Sequence, residues 1–117
     1  MSSSEISRLV DELEGQVNNG GFHQFFFNSA GDCTAETISA LDVIGAHAVA
    51  DLLKRAAGMF PNGSPPKDRQ ARIEVLRTSF PKTDEFRTLD EEFFAYPDDL
   101  ASLLENYVLK TGGSGPK

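Results

Sequence analysis

Hydrophobic positions recur every three or four residues from residue 6 to residue 108. The first run consists of Ile6, Leu9, Val10, Leu13 and Val17, a spacing that places all five side chains on one face of a helix. Similar runs follow along the chain, and no stretch of useful length alternates apolar and polar residues as a strand does. The pattern predicts an all-α protein, a single compact bundle of about six or seven short helices.

Glycine and asparagine residues indicate where the helices of the first half begin and end. Ser2 and Glu5 have the spacing of a capping box for the first helix, which is expected to stop at the Asn-Asn-Gly-Gly sequence of residues 18–21. A short aromatic helical segment follows it. Thr34 has the position of an N-cap for the next helix. Gly45 interrupts the pattern again.

Prolines delimit the helices of the second half. The Pro-Asn-Gly-Ser-Pro-Pro sequence at 61–66 predicts a loop, and Pro81 ends the helix that follows the loop. A further helix is expected over about 84–95. Pro97 suits the first position of the last helix, because its missing N–H needs no partner there.

Length and composition fit one domain. The chain has 117 residues, of which 39% are hydrophobic and 25% charged, and it is long enough to bury one core. Nine Phe residues supply most of the aromatic bulk, and Phe22, Phe25 and Phe26 are expected at the centre of the core. Residues 1–110 are predicted to form a single helical domain, and the three glycines in 111–117 predict a flexible tail.

The net charge of −7, from 11 basic and 18 acidic residues, bounds the function. Nucleic acids and anionic membranes require a basic surface, so we expect no direct nucleic-acid binding and no membrane binding. No apolar run approaches the roughly 18 residues that span a bilayer. The first residues do not resemble a secretory signal, so the expected location is cytoplasmic.

The charge falls into three blocks along the sequence. Residues 1–53 hold eight acidic groups against Arg8 alone, residues 54–82 hold seven basic groups against two acidic ones, and residues 84–105 hold eight acidic groups against Arg87. Two explanations stay open. Either the basic helices lie against the acidic ones and stabilise them modestly, or the blocks form separate surfaces, one of them strongly negative.

The last acidic block is the candidate binding surface. Several of its acids are seven residues apart, which places them on the solvent side of a helix at a spacing comparable to that of DNA phosphates. Acids in the first turn of a helix are also favoured by the helix dipole, which is the other explanation for this block. The candidate residues are Asp84, Glu85, Asp90, Glu91, Glu92, Asp98, Asp99 and Glu105.

Residue types that commonly carry catalysis are scarce. His23, His47 and Cys33 are the only histidines and cysteine, and no HExxH or CxxC spacing exists for a metal ion. A nucleophile pair of Cys33 and His23 with Asp32 as its orienting group is conceivable, but matches of this size arise freely. We therefore predict no catalytic residues, no metal and no cofactor.

Three stretches of the sequence carry a family resemblance. The first reads Asn-Gly-Gly-Phe-His-Gln-Phe-Phe-Phe-Asn at 19–28, the second covers 65–69, and the third covers 89–100. In this order and spacing they resemble the DNA-mimic protein 19-like family of bacterial helical domains. The motif residues expected to be structural are Asn19, Gly20, Gly21, Phe22, Gln24, Phe25, Phe26, Asn28, Tyr96 and Pro97.

The resemblance implies an all-helical fold and a homodimer, and for one member of the family it implies binding of a transcription regulator in place of DNA. We therefore predict an acidic, non-enzymatic DNA mimic that occupies the DNA-binding surface of a transcription regulator or another basic DNA-binding protein. Two alternatives stay open. One is an inhibitor or immunity-type protein-binding module, and the other is a small enzyme or ligand-binding domain with its site at residues 19–28.

Overall fold

The computed structural model describes residues 1–111, apart from the side chain of Thr83. This part of the chain is built from helices and contains no strand, which confirms the all-α prediction. The α-helices are α1 (Ser3–Phe27), α2 (Thr34–Val43), α3 (His47–Gly58), α4 (Arg69–Ser79), α5 (Arg87–Phe94) and α6 (Leu100–Thr111). Three 3₁₀ turns lie between them, at Ser29–Cys33, Pro61–Gly63 and Thr83–Phe86. None of the helices within 1–111 has the length and apolar character to cross a membrane.

The α1 helix has the predicted start and a break where its end was predicted. The Ser2 hydroxyl accepts a hydrogen bond from the Glu5 amide at 3.1 Å, and the Glu5 carboxylate accepts one from the Ser2 amide at 3.4 Å, as a capping box requires. At Gly21 the backbone leaves the helical region with a φ of 75°. Helix geometry resumes after it and continues to Phe27, so α1 is one element with a sharp corner.

A glycine separates α2 from α3 as the sequence predicts. Gly45 has a φ of 89°, which the L side chains of other residues rarely adopt. Thr34, however, is the first residue of α2 and does not act as an N-cap. Its hydroxyl donates to the carbonyl oxygen of Gly31 at 2.7 Å, because the preceding 3₁₀ turn leaves that carbonyl within reach.

The core is one continuous cluster with phenylalanine rings at its centre. Phe22, Phe25 and Phe26 are fully buried, as expected from the sequence. Phe26 contacts the rings of Phe60 and Phe86 with centroids 4.8 and 5.6 Å apart. Burial of one such side chain contributes roughly 1.5–3 kcal/mol before the loss of entropy is subtracted. The aromatic patch therefore joins α1 to the loop after α3 and to the turn before α5.

The α5 and α6 helices run back along α1. The α1 corner contacts α5, where the Phe22 and Phe93 rings pack edge to face at 5.9 Å. The Tyr96 hydroxyl lies 3.5 Å from a carboxylate oxygen of Glu14. Close to the chain start, the Ser3 hydroxyl lies 3.2 Å from that of Thr111. Both α5 and α6 therefore contact α1, and Glu14 of the first acidic block lies next to Tyr96.

The last helix starts and ends later than the sequence predicts. Pro97 lies in a bend, and α6 begins at Leu100. Asp99 caps it, since its carboxylate accepts from the Ser102 amide at 3.2 Å. Thr111, placed in the tail by the sequence prediction, is the final residue of α6. Residues 112–117 of that predicted tail lie outside the described part of the chain.

Candidate acidic binding surface

Asp90, one of the eight candidate acids, points inward. Its Oδ1 atom accepts a hydrogen bond from the Phe22 amide at 2.8 Å, directly after the corner at Gly21. Burial raises the pKa of the Asp90 carboxyl, while the hydrogen bond from Phe22 and the nearby His23 oppose the rise and Glu91 adds to it. Asp90 thus satisfies an amide that α1 leaves open at its corner, which makes its role structural.

Asp98 also binds a distant backbone amide. Its Oδ2 atom accepts from the Val49 amide at 2.8 Å, in the first turn of α3. Ala46, the residue before α3, has no side-chain oxygen that can cap the helix. A carboxylate from another segment therefore caps α3, and it complements the positive end of the helix dipole at the same time.

Glu92 and Asp84 each form an ion pair. Glu92 lies 2.8 Å from a guanidinium nitrogen of Arg55 on α3, and this contact raises the pKa of Arg55. Asp84 lies 3.3 Å from Arg87, three residues further along. Both pairs are exposed, so water and salt screen them and each contributes little to stability. Their negative charges are nevertheless partly neutralised at the surface.

Asp99 accepts hydrogen bonds from the Ser102 amide and hydroxyl as the cap of α6. The remaining candidates are the unpaired acids Glu85, Glu91 and Glu105. All three are exposed, and none takes part in an ion pair among residues 1–111. Glu14, an acid of the first helix that is not among the eight candidates, lies beside Tyr96 just after α5. The only sequence signal for it was its place in the acidic first helix.

The basic block pairs largely with acids, as the first of the two explanations had it. Lys67 lies 3.1 Å from Glu36 on α2, and Lys54 lies 3.7 Å from Asp42. A backbone hydrogen bond and, after it, the contact with Lys67 lower the pKa of the Glu36 carboxyl. The hydrogen bond from His47 and, to a smaller extent, Lys54 lower the pKa of Asp42. Within the block itself, Arg77 pairs with Glu74. The positive charges are thus partly neutralised internally, and the surplus of the chain stays negative.

Arg72 of the same block is completely buried. All five of its N–H groups donate hydrogen bonds, which is the full capacity of a guanidinium. The acceptors are the carbonyl oxygens of Phe26, Asn28, Pro66 and Lys67 and a carboxylate oxygen of Asp32, at 2.6–3.0 Å. The side chain therefore fastens the end of α1 and the turn after it to the loop before α4.

The motif segment 19–28 uses its amides within the fold. The Gln24 and Asn28 side chains both donate to the Gln16 side-chain oxygen, at 2.9 and 2.8 Å, and Asn19 donates to Gln24 at 3.1 Å. The His23 ring packs against Phe86, with centroids 6.5 Å apart. Two open depressions of about 340 and 220 Å³ flank this segment. Its polar side chains serve to brace α1 around its corner.

The residues considered for catalysis have structural contacts. Asp32, the proposed orienting group for Cys33 and His23, is bound to Arg72 at 2.7 Å. His47 lies 2.9 Å from Asp42 at the surface. Across residues 1–111, no three His, Cys, Asp or Glu side chains are arranged to hold a metal ion. The absence of catalytic residues and cofactors stays a prediction.

The raised pKa of Asp90 gives a pH-dependent stability. The unfolded chain releases this proton at about pH 3.9, before the folded chain does, so the contribution of Asp90 to stability falls as the pH rises from there. We expect the stability advantage of the wild type over Asp90→Asn to be larger near pH 4 than near pH 7. Urea unfolding at both values measures it. An advantage that grows with pH contradicts the raised pKa.

Comparison with known proteins identifies a family. The model of the family described as DMP19-like protein matches residues 4–111. Neither a curated protein nor a solved structure matches the chain. The matched range spans α1 to α6 and includes all the candidate acids.

Proposed function

Because the chain belongs to the DMP19-like protein family, we propose that it is an acidic, non-enzymatic protein-binding domain that occupies the DNA-binding surface of a basic partner. A transcription regulator or another DNA-binding protein has the required chemistry. The carboxylates of this chain take the place of phosphates in contacts with the Lys and Arg side chains of the partner. No nucleic acid takes part in the complex.

The exposure of Glu85, Glu91 and Glu105 carries the proposal. An acid already paired with a cation must break that pair before it binds a partner, whereas these three have no such competitor among residues 1–111. Asp90 and Asp98 are not part of the proposed binding surface, because their carboxylates accept hydrogen bonds from backbone amides. Glu14 joins the surface through its position beside Tyr96.

A pull-down from the lysate of the native cell at low salt tests the proposal. We expect one or more DNA-binding proteins to be retained, and to be released both by 1 M salt, where the screening length shortens to about 3 Å, and by added duplex DNA. Retention that resists duplex DNA contradicts the DNA-mimic mechanism. The absence of any salt-sensitive partner contradicts the binding function as a whole.

Neutralising the three unpaired acids is expected to weaken the complex with the captured partner. Each exposed charge contact contributes about 0.2–1 kcal/mol, so the triple variant Glu85→Gln, Glu91→Gln and Glu105→Gln is expected to bind about tenfold more weakly. Isothermal titration calorimetry measures the change.

The matched control for this variant removes three charges elsewhere: Glu5→Gln, Glu12→Gln and Glu74→Gln. Gln at position 5 preserves the capping box. The control has the same net charge as the triple variant and is expected to bind within about twofold of the wild type. Equal weakening by the two variants contradicts a local binding surface, because then only the overall charge matters.

A second candidate is the inhibitor or immunity-type module, which two exposed aromatic residues favour, one at the end of α5 and one just after it. Phe94 is 48% exposed and Tyr96 is 57% exposed. Tyr96 also has a φ of 55°, a strained conformation for a bulky residue. An apolar spot surrounded by acids suits a protein partner that does not bind DNA.

For such a partner, Phe94→Ala is expected to lower the affinity at least tenfold. For a DNA-binding protein whose DNA is mimicked, the same substitution is expected to change the affinity less than threefold.

The homodimer implied by the family resemblance is part of the proposal. The α6 helix supports it, because Leu109 is 67% exposed and Leu103 and Leu104 are only half-buried. Light scattering coupled to size-exclusion chromatography determines the mass. A mass equal to the 12.7 kDa of one chain at all concentrations contradicts the dimer.

A further inference from the structure

A half-open cavity of about 470 Å³ lies between α2, α3 and the loop that precedes α4. Its apolar wall includes Ile38 on α2, Ala57 on α3 and Pro65 in the loop. The volume falls in the range of pockets that hold small molecules, and a mostly apolar lining with a few polar groups is typical of them. None of the unpaired acids lines the cavity, so its function is separate from that of the acidic surface.

The two sides of the cavity are held in place by Arg72. On one side its guanidinium binds the Asp32 carboxylate, and on the other it binds the carbonyl oxygens of Pro66 and Lys67 at 3.0 and 2.9 Å. Because Arg72 is fully buried with all its donors used, the opposing walls are fixed relative to each other. A cavity that is preformed in this way orders little on binding, which favours affinity for a small ligand.

Two lysines line the cavity, although the chain as a whole is acidic. Lys67 donates to the Asp32 carbonyl and to Glu36, both at 3.1 Å, and these contacts use two of the three N–H donors of an ammonium group. Lys54 is 3.7 Å from Asp42, a loose contact, and Asp42 has a closer partner in His47 at 2.9 Å. Lys54 can therefore turn to an anion in the cavity at little cost.

The one carboxylate that lines the cavity is already neutralised. Asp32 lies 2.7 Å from the buried guanidinium of Arg72. Lys67 is paired with Glu36 and keeps one free N–H donor, so the positive charge most available to the cavity is that of Lys54, with its loose contact to Asp42. Charge complementarity selects an anion, and the apolar wall selects an uncharged, compact body attached to it.

We propose that this cavity binds a small organic monocarboxylate with a compact apolar body. The carboxylate accepts hydrogen bonds from the ammonium groups of Lys54 and Lys67. The apolar body packs against Ile38, Ala57 and Pro65. Ligands of this class are small metabolites, and the binding requires no metal and no covalent step.

The probe for the test is benzoate, added to the ¹⁵N-labelled full chain and followed by amide NMR. We expect saturable shifts at Gly31 and Gly63, which both line the cavity. Benzamide, the neutral isostere, is expected to bind at least tenfold more weakly because it carries no charge. Acetate and inorganic phosphate are expected to produce no saturable shifts, because they have no apolar body.

A pair of matched variants locates the cation. Lys54→Met keeps the length and apolar stem of the side chain, and it is expected to lower benzoate affinity about tenfold. Lys110→Met removes the same charge on α6, away from the cavity, and is expected to leave the affinity unchanged. Benzoate that does not saturate, benzamide that binds as well as benzoate, or equal affinity in the two lysine variants each overturns the proposal.

Discussion

Arg72→Met is expected to lower the free energy of unfolding by at least about 3 kcal/mol, the largest effect of any charged-to-neutral change in this chain. The substitution keeps a long side chain in the core but removes all five hydrogen-bond donors. Each buried acceptor left without a partner costs about 1–3 kcal/mol. The Asp32 carboxylate is 43% exposed, so water partly compensates it for the loss of its cation. Urea unfolding followed by circular dichroism measures the change.

Arg77→Met is the matched control for that prediction. Arg77 lies on the same helix and pairs with Glu74, but both side chains are mostly exposed. Its loss is expected to change the stability by less than about 0.5 kcal/mol. Arg72→Lys restores the charge with fewer donors and is expected to fall between the two. An Arg72→Met variant as stable as Arg77→Met refutes the structural role of the buried guanidinium.

Gly21→Ala is expected to destabilise the fold by about 2–3 kcal/mol. The φ of 75° at this position disfavours every residue with a Cβ atom. An added Cβ would also overlap Oδ2 of Asp90 and lie 2.9 Å from its Cγ, so the carboxylate that holds the Phe22 amide must move. Backbone strain and the lost hydrogen bond act together, and thermal or urea unfolding reports their sum.

Gly15→Ala is the control in the same helix. Gly15 has helical backbone geometry and nothing within 4 Å of an added Cβ, so Ala is expected to stabilise the chain by up to about 1 kcal/mol. Opposite signs for the two substitutions establish that α1 turns a corner at Gly21. If Gly21→Ala is also stabilising, α1 is a continuous helix in solution and the corner is refuted.

The order of the helices follows from local signals that the sequence displays. The capping box at Ser2 and the glycine at position 45 act through neighbouring residues, so their effect is visible in the chain itself. The burial of Phe22, Phe25 and Phe26 follows from helical periodicity. Only the exact ends depended on context. Pro97 is not the first residue of α6, because Asp99, two residues later, caps the helix.

The roles of individual charges could not be predicted, because their partners are distant in sequence. Asp90 binds an amide 68 residues away, and Asp98 binds one 49 residues away. Its seven-residue distance from Glu105 placed Asp98 on the solvent side of a helix, and Asp90 was a candidate because it lies in a motif of the family resemblance. No local pattern distinguishes a capping carboxylate from a solvated one. Proximity in the folded chain, which sequence periodicity does not encode, decides between them.

The burial of Arg72, in contrast, could be predicted from its position in the helix, although not from the charge of the basic block as a whole. Arg72 lies four residues before Leu76 and therefore on the apolar face of α4. A cation on the apolar face of a helix becomes buried when the helix packs, and an unpaired buried charge is very costly. The helix can therefore pack only if the cation finds several hydrogen-bond acceptors. Register within the helix, more than the local density of charge, indicated that this residue is inside.

The acids that bind backbone amides and the acids that are unpaired are under different selective pressures, the first for stability of the fold and the second for surface charge. Positions 90 and 98 each hold a helix amide, so most substitutions there reduce the abundance of the folded protein before they alter any interaction. Positions 85, 91 and 105 have no such duty among residues 1–111, and mutations there alter only the outer charge. In the proposed function the outer charge selects the partner, so substitutions at three sites are enough for a lineage to change partners without first acquiring a more stable scaffold.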